Sequence, residues 1–222
     1  MALCTSTLLG KPIDAHVRAA VEGVADTLEA LGHHVEESFP RVGDERLHAC
    51  LETVWAVDLA VLASTFTRIG GREAGRHTVE AASWACIRHG RRVSALELET
   101  AASTVNSVSR RWGSLLEERH LFVCATTPQP APASGVPDQA DERFSTAGRW
   151  IDAVFGPGPF TPIANLTGQP SISLPLGEAP DGMPIGVMLT APTLREDLLL
   201  QVSAALEEAT PWQQRRPAVH AG

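Results

Sequence analysis

Hydrolytic, redox and metal chemistry each need particular side chains at particular spacings, and a few residues of this 222-residue chain invite that test. His33, His34 and Glu36 could be imagined as metal ligands. Adjacent side chains of an extended segment point to opposite faces, however, so the segment reads as a solvated edge with no metal and no cofactor. The adjacent carboxylates Glu36-Glu37, Glu117-Glu118 and Glu207-Glu208 fail as acid/base pairs for the same reason and read as solvated faces. Cys4, Cys50, Cys86 and Cys124 are widely spaced and make no C-x-x-C, which points to small buried residues in a reducing compartment.

Nucleophilic hydrolysis needs a nucleophile, a base within hydrogen-bond reach and donors aimed at the developing oxyanion. The chain has no G-x-S-x-G elbow and no S-x-x-K pair. It also lacks H-E-x-x-H, a phosphate-binding G-x-x-x-x-G-K-[ST] loop and a dinucleotide G-x-G-x-x-G. Lys11 is the only lysine, placed in the loop before the first helical run. No catalytic residue can be named from these patterns.

The elements that would carry a site are legible from periodicity. Ile13, Val17, Val21, Val24, Leu28 and Leu31 recur at helical spacing, with Asp14 as cap and Gly32 as terminator. A short extended segment from His33 toward Pro40 follows. Leu47, Leu51, Val54, Trp55, Leu59 and Leu62 form a stripe on a long helix between Val42 and Ile69, and a second helix runs near Val79 to His89. Ser94 and Glu97 fit a capping box opening a helix that reaches Arg119. Leu121–Ala125, Ser171–Leu174 and Ile185–Leu189 read as strands, the last two joined through Asp181-Gly182. The Pro-rich stretch Pro128–Pro137 reads as a loop over a site, with strand-like segments resuming beyond it, and Arg195–Ala209 is a final helix. The alternation predicts an α/β fold, a mixed β-sheet covered by helices.

Composition narrows the classes of function. Hydrophobic residues are 44% and charged residues 20%, the balance of a packed globular chain, and the net charge is −8. With no evident basic block or aromatic platform, nucleic acid is not an expected partner. No run of about 18 apolar residues is evident to span a bilayer and no signal-peptide pattern opens the chain, so no membrane and a cytoplasmic location are expected.

From Phe160 onward the chain reads FTPIANLTGQPSISLPLG, then DGMPIGVML, then REDLLLQVSAALE. This resembles the C-terminal end of amidase-signature enzymes, whose pattern is F-T-x-x-x-N-x-x-G-x-P, P-x-G and D-G-x-P-x-G-x-Q before a Leu-rich helix. Cys4 to Pro40 and Phe122 to Gly135 resemble earlier parts of the family, so the likeness covers essentially the whole chain. TSTLLGKPIDA and LTGQPSISLPLG look most like amidases related to cyclic amide-oligomer hydrolases.

The resemblance implies a single incomplete amidase domain over 1–222, the C-terminal half of the fold. The family's catalytic Ser, second Ser and Lys lie in a Gly/Ser-rich segment and a strand that precede the matched region, so residue-by-residue transfer gives no catalytic residue here. Met188 stands where the family usually has Gln, and Leu121 where it often has Asp. Met1 falls inside a family strand, which is the pattern expected of a truncation. Substrate contact is expected at Cys50 and Trp55 of the long helix, at Pro128 of the loop, and at Thr161 and Asn165 of the F-T-x-x-x-N stretch. For Trp55 the alternative is core packing, and for Asn165 a buried amide that fixes a neighbouring loop. Three readings follow: the C-terminal half of an amidase, inactive alone; one subunit of a split amidase; or a non-catalytic binding protein that keeps one wall of a substrate cleft. The expected partners are a complementary N-terminal amidase half or a second copy, and a small amide substrate in the complete enzyme.

Overall fold

The computed structural model describes residues 1–40, 42, 45–156, 158 and 160–216. They fold as two compact units, Met1–Val42 with Val108–Pro132 and Gly158–Gly222, and Gly43–Ser107 with Ala133–Pro157.

The first unit is built on a five-stranded mixed sheet. Strands β1 (Ala2–Cys4), β2 (Glu36–Glu37), β3 (Phe122–Ala125), β4 (Ser171–Glu178) and β5 (Pro184–Thr190) lie in the order β2-β1-β3-β5-β4. β2, β1 and β3 run parallel, whereas β3, β5 and β4 are antiparallel, with Val123 opposite Leu189 and Leu174 opposite Val187. All three strands expected from sequence are present. The extended segment after the first helix contributes only two strand residues.

Alternation along these strands sends side chains to two faces. Leu3, Val123, Leu174, Val187 and Leu189 pack with Val17, Val21 and Leu28 of α1 (Ala15–Ala30) and Leu199, Val202 and Leu206 of α7 (Glu196–Ala209). Burying one such leucine or valine contributes about 1.5–3 kcal/mol. Phe122, one position out of phase with Val123, instead meets Trp112 of α4 (Ala95–Arg119) and Phe160, at ring-centroid distances of 4.7 and 5.0 Å.

Asp14 caps α1 as its position predicts, its carboxylate accepting from the N–H groups of His16 at 2.8 Å and Val17 at 3.4 Å. Gly32, at φ 90°, supplies the left-handed residue that lets the His33 N–H reach back to the Leu28 carbonyl at 3.0 Å. Asp14→Ala should therefore cost about 1 kcal/mol of stability, read as a lower urea midpoint with an unchanged slope. An unaltered midpoint would mean that solvent satisfies those donors equally well.

The second unit is helical. It holds α2 (Glu45–Gly70), α3 (Ala81–Gly90), the first part of α4, a 3-10 turn at Glu142–Phe144 and α5 (Ala147–Phe155). The capping box is formed: the Glu97 N–H donates to Ser94 Oγ at 3.2 Å, and the Ser94 N–H to Glu97 Oε2 at 2.7 Å. α2 and α3 approach so closely at Gly90 that a Cβ there would lie 2.0 Å from the Ala56 carbonyl oxygen.

Two features here go beyond the sequence patterns. Strands β4 and β5 resume beyond the Pro-rich loop as expected, but the 3-10 turn, α5 and, in the sheet unit, α6 (Thr161–Thr167) come first. Thr146 caps α5, and Phe144, Trp150 and Ile151 close a second apolar cluster with Ala82 and Cys86. α2 is also long and apolar enough, by length and composition, to cross a membrane, although only 28% of its most apolar 18-residue window is buried. Glu52 and Asp58 interrupt any unbroken apolar run here, whereas Val54, Val57, Leu59, Val61 and Leu62 keep the average high around them.

Candidate functional site

In the sheet unit the chemistry gathers where β3 leaves the sheet. Thr126 Oγ1 and Ser173 Oγ share a hydrogen bond at 2.6 Å. Gly186 lies beneath them, and a Cβ there would sit 2.8 Å from Thr126 Oγ1 and 2.9 Å from Ser173 Oγ. The glycine of the D-G-M-P-I-G run is thus fixed by close approach, and that motif position was the sequence signal for a hydroxyl pair that pattern reading missed. Further along the same strands, Ser171 Oγ and Thr190 Oγ1 pair at 2.8 Å. Such groups can hold a polar ligand. A hydroxyl bonded only to another hydroxyl has no base to take its proton, so the Thr126–Ser173 pair lacks what an activated nucleophile requires.

The expected substrate contacts fall in both units. In the sheet unit, Pro128 is half-buried and its carbonyl accepts from the Asp14 N–H at 2.9 Å, tying the Pro-rich loop to the start of α1. Thr161 opens α6 and is half-buried. Asn165, on the same helix, is exposed, with no amide hydrogen bond among the described residues, so the buried-amide alternative does not hold. Gly168 ends α6 in the left-handed conformation at φ 75°, which explains the glycine before Gln169-Pro170.

In the helical unit, Cys50 is buried and its thiol donates to the Ala101 carbonyl at 3.4 Å. It lines a cavity of about 520 Å³ with Arg46, Thr53 and Thr100. Trp55 is 38% exposed and meets Phe155 edge-on at 5.3 Å, so it is neither a sealed core residue nor on the buried face that carries Cys50.

The remaining candidates are accounted for by local bonding. Lys11 is exposed in a tight loop closed by the Thr7 N–H on its carbonyl at 2.8 Å. Glu36 is more than a solvated carboxylate: it meets His34 at 2.7 Å and pairs with Arg119. The His34 hydrogen bond first, and the Arg119 charge second, hold its carboxyl below the usual range. Glu37 accepts from Thr5 Oγ1 at 3.0 Å. Among the described residues, no three His, Cys, Asp or Glu side chains are grouped to hold a metal ion.

All four cysteines are free and buried. Burial raises the thiol pKa of Cys4 and Cys50, lifts Cys86 to about 11 and pushes Cys124 well above the ordinary value. At pH 8 a thiol at that height holds about a hundredth of the thiolate of a free cysteine. A disulfide reagent should therefore react slowly with the folded chain and rapidly with all four thiols in denaturant. One fast thiol in the native protein would contradict this burial pattern.

Met188 explains one departure from the family pattern. It lies opposite Cys124 in the β3–β5 register, both are buried, and an amide there would need a partner inside the sheet packing.

Comparison with known proteins agrees with this architecture. A family model described as Amidase matches residues 4–200. The 6-aminohexanoate-cyclic-dimer hydrolase of Paenarthrobacter ureafaciens is 32% identical over 212 residues, covering 92% of this chain and 42% of the relative. The enzyme of that name from Pseudomonas sp. (strain NK87) is 33% identical over 213 residues, covering 92% and 42%. A solved structure of 6-aminohexanoate cyclic dimer hydrolase complexed with substrate superposes with a TM-score of 0.87 at 31% identity, over 98% of this chain and 46% of that one. A bacterial aryl acylamidase shares the fold at TM-score 0.75 and 18% identity, over 97% and 46%. The chain spans less than half the length of these relatives, and over that span it belongs to the amidase family of amidase-signature enzymes.

Proposed function

We propose that this chain supplies the C-terminal half of an amidase that cleaves small carboxamides, and that it hydrolyses them only together with a segment carrying the lysine and paired serines of the family. The reading rests on one observation above the others: the chain overlays 98% of its length on a cyclic-amide hydrolase while covering 46% of that enzyme. It is supported by the hydroxyl pair Thr126–Ser173, which offers polar contact without a base. Cyclic dimers of amino acids are the first substrates to assay, because two relatives carry that substrate in their names.

The complementary segment, or a second copy in its absence, would cover apolar surface. Val61, Leu62, Phe66 and Ile69 of α2 are 47–76% exposed, a row that ordinarily drives association.

The test is co-expression with the lysine- and serine-bearing half of 6-aminohexanoate-cyclic-dimer hydrolase, followed by size-exclusion chromatography and an amide-cleavage assay. A stable complex that releases amine, with the chain alone at buffer level, is the expected result. Turnover by the isolated chain would overturn it, and ligand binding without turnover in the complex would favour a non-catalytic binding role.

A further inference from the structure

Arg88-His89-Gly90-Arg91-Arg92 places three guanidinium groups within five positions of a chain whose net charge is −8. The origin of this run is partly local, since Arg88 and His89 occupy the last turn of α3, where the helix dipole favours cations.

The fold then concentrates the charge. Gly90 lets α3 end against the α2 backbone, and the chain turns at once, closed by the Arg91 N–H on the Ile87 carbonyl at 3.1 Å and the Arg92 N–H on the His89 carbonyl at 2.9 Å. Arg91 and Arg92 are thereby brought beside Arg88. With His89, Ser145 and Thr146 they line a cavity of about 460 Å³ to which no carboxylate contributes.

A solvated charge run is the ordinary reading of such a segment, and two observations weigh against it. Arg88 is anchored by donating to the Ser145 carbonyl at 3.3 Å, and Arg91 lies over the Trp84 ring at 5.8 Å. Both contacts fix a guanidinium without neutralising it. Among the described residues Arg88, Arg91 and Arg92 form no ion pair within 4.0 Å, while His89 meets Glu52 at 3.8 Å and Arg88 also borders a neighbouring cavity with Glu80 and Glu142. Each guanidinium has five N–H donors in a planar fork, so most donors around this cavity are unspent.

We propose that this cavity binds a phosphate group. Three guanidiniums lining one cavity suit a doubly charged tetrahedral anion with several acceptor oxygens, whereas a monocarboxylate brings a single charge and two oxygens to the same donors. The phosphate can belong to a free anion or small phosphate ester, or to a lipid headgroup. The site lies in the helical unit and needs no catalysis, so it stands independently of the amidase reading.

Isothermal titration of the full chain with inorganic phosphate, pyrophosphate and acetate at fixed ionic strength tests this. Saturable binding of phosphate and pyrophosphate, at least tenfold tighter than acetate, is expected. The double variant Arg88→Gln/Arg92→Gln should weaken it tenfold or more, and the lysine pair Arg88→Lys/Arg92→Lys should retain part of it. Circular dichroism melting of unliganded variants within about 3 °C of the parent would separate ligand loss from unfolding. Sedimentation with phosphatidylglycerol vesicles, against phosphatidylcholine vesicles, separates the sources: capture by the former that the double variant abolishes assigns the phosphate to a headgroup. Absence of saturable binding in every arm, acetate binding as tight as phosphate, or binding unaffected by the double substitution would overturn the proposal.

Discussion

Amide cleavage by the complex of this chain with a lysine- and serine-bearing amidase half should exceed that of the chain alone by at least about 10⁶-fold, the lower end of ordinary enzymatic acceleration. So large a difference follows from how an activated nucleophile works. Attack on an amide carbonyl needs a deprotonated oxygen or sulfur, a proton acceptor beside it and preorganised donors for the oxyanion. Thr126 and Ser173 bond to each other, and burial keeps Cys86 and Cys124 protonated at neutral pH. Substrate held by such a surface gains proximity to nothing reactive. Amine release measured by a fluorogenic label, with a serine-directed inhibitor as control, reads the difference. A complex within tenfold of buffer would remove the hydrolytic reading, and activity of the isolated chain that survives Lys11→Ala would reveal an unrecognised site.

The second large effect is on stability. Trp112 is 1% exposed, stacked on Phe160 at 6.2 Å and edge-on to Phe122 at 4.7 Å. It fills the sheet face opposite the one covered by α1 and α7. Trp112→Ala would remove the largest fully buried side chain and leave a cavity that its ring neighbours cannot close, at a cost of about 3–5 kcal/mol. That is a large fraction of the stability of an ordinary domain, about 5–15 kcal/mol. Its indole N–H has no acceptor among the described residues. Trp112→Phe should for that reason stay within about 1.5 kcal/mol of the parent, because a smaller ring also removes an unpaired buried donor. Urea unfolding followed by circular dichroism measures both. An alanine variant losing less than about 1.5 kcal/mol would show that this aromatic cluster is loosely packed.

How far the sequence carried the fold can be judged element by element. Asp14, Ser94 with Glu97, and Asp181-Gly182 announced structure correctly because caps and turns are decided by the few residues that form them. The strands were legible because each is a short apolar run with a punctuating residue nearby. α5 is not among the helices expected from periodicity, because nine residues give only about two turns of pattern and Thr146 as cap with Trp150-Ile151 as buried face is too brief a signal beyond the proline-rich stretch. The site was harder still. The Thr126–Ser173 pair joins positions 47 residues apart through strand register, and the charged cavity joins Arg88 to Thr146 through helix packing. Periodicity carries no information about either encounter. The family motifs located the neighbourhood, but Asn165 shows that a motif position need not have the burial assumed for it.

The C-terminal tail has a consequence for the lifetime of the folded chain in concentrated solution. β4 is the outer strand of its sheet, and eight residues of open strand would be a template long enough for another molecule to copy. Arg215, on the stretch that follows Trp212, donates to the carbonyls of Pro175 at 3.1 Å and Gly177 at 3.3 Å, and Pro175 itself has no N–H. The second half of the strand is thus stoppered from both sides of its hydrogen-bonding inventory. The stretch with no such contact among the described residues, Ser171 to Leu174, is shorter than the segments of about six residues that nucleate cross-β stacking. Proteolytic removal of Arg215 is therefore expected to speed fibril growth in concentrated solution, read by the fluorescence of an amyloid-binding dye, and an unchanged rate would show that this contact does not protect the edge.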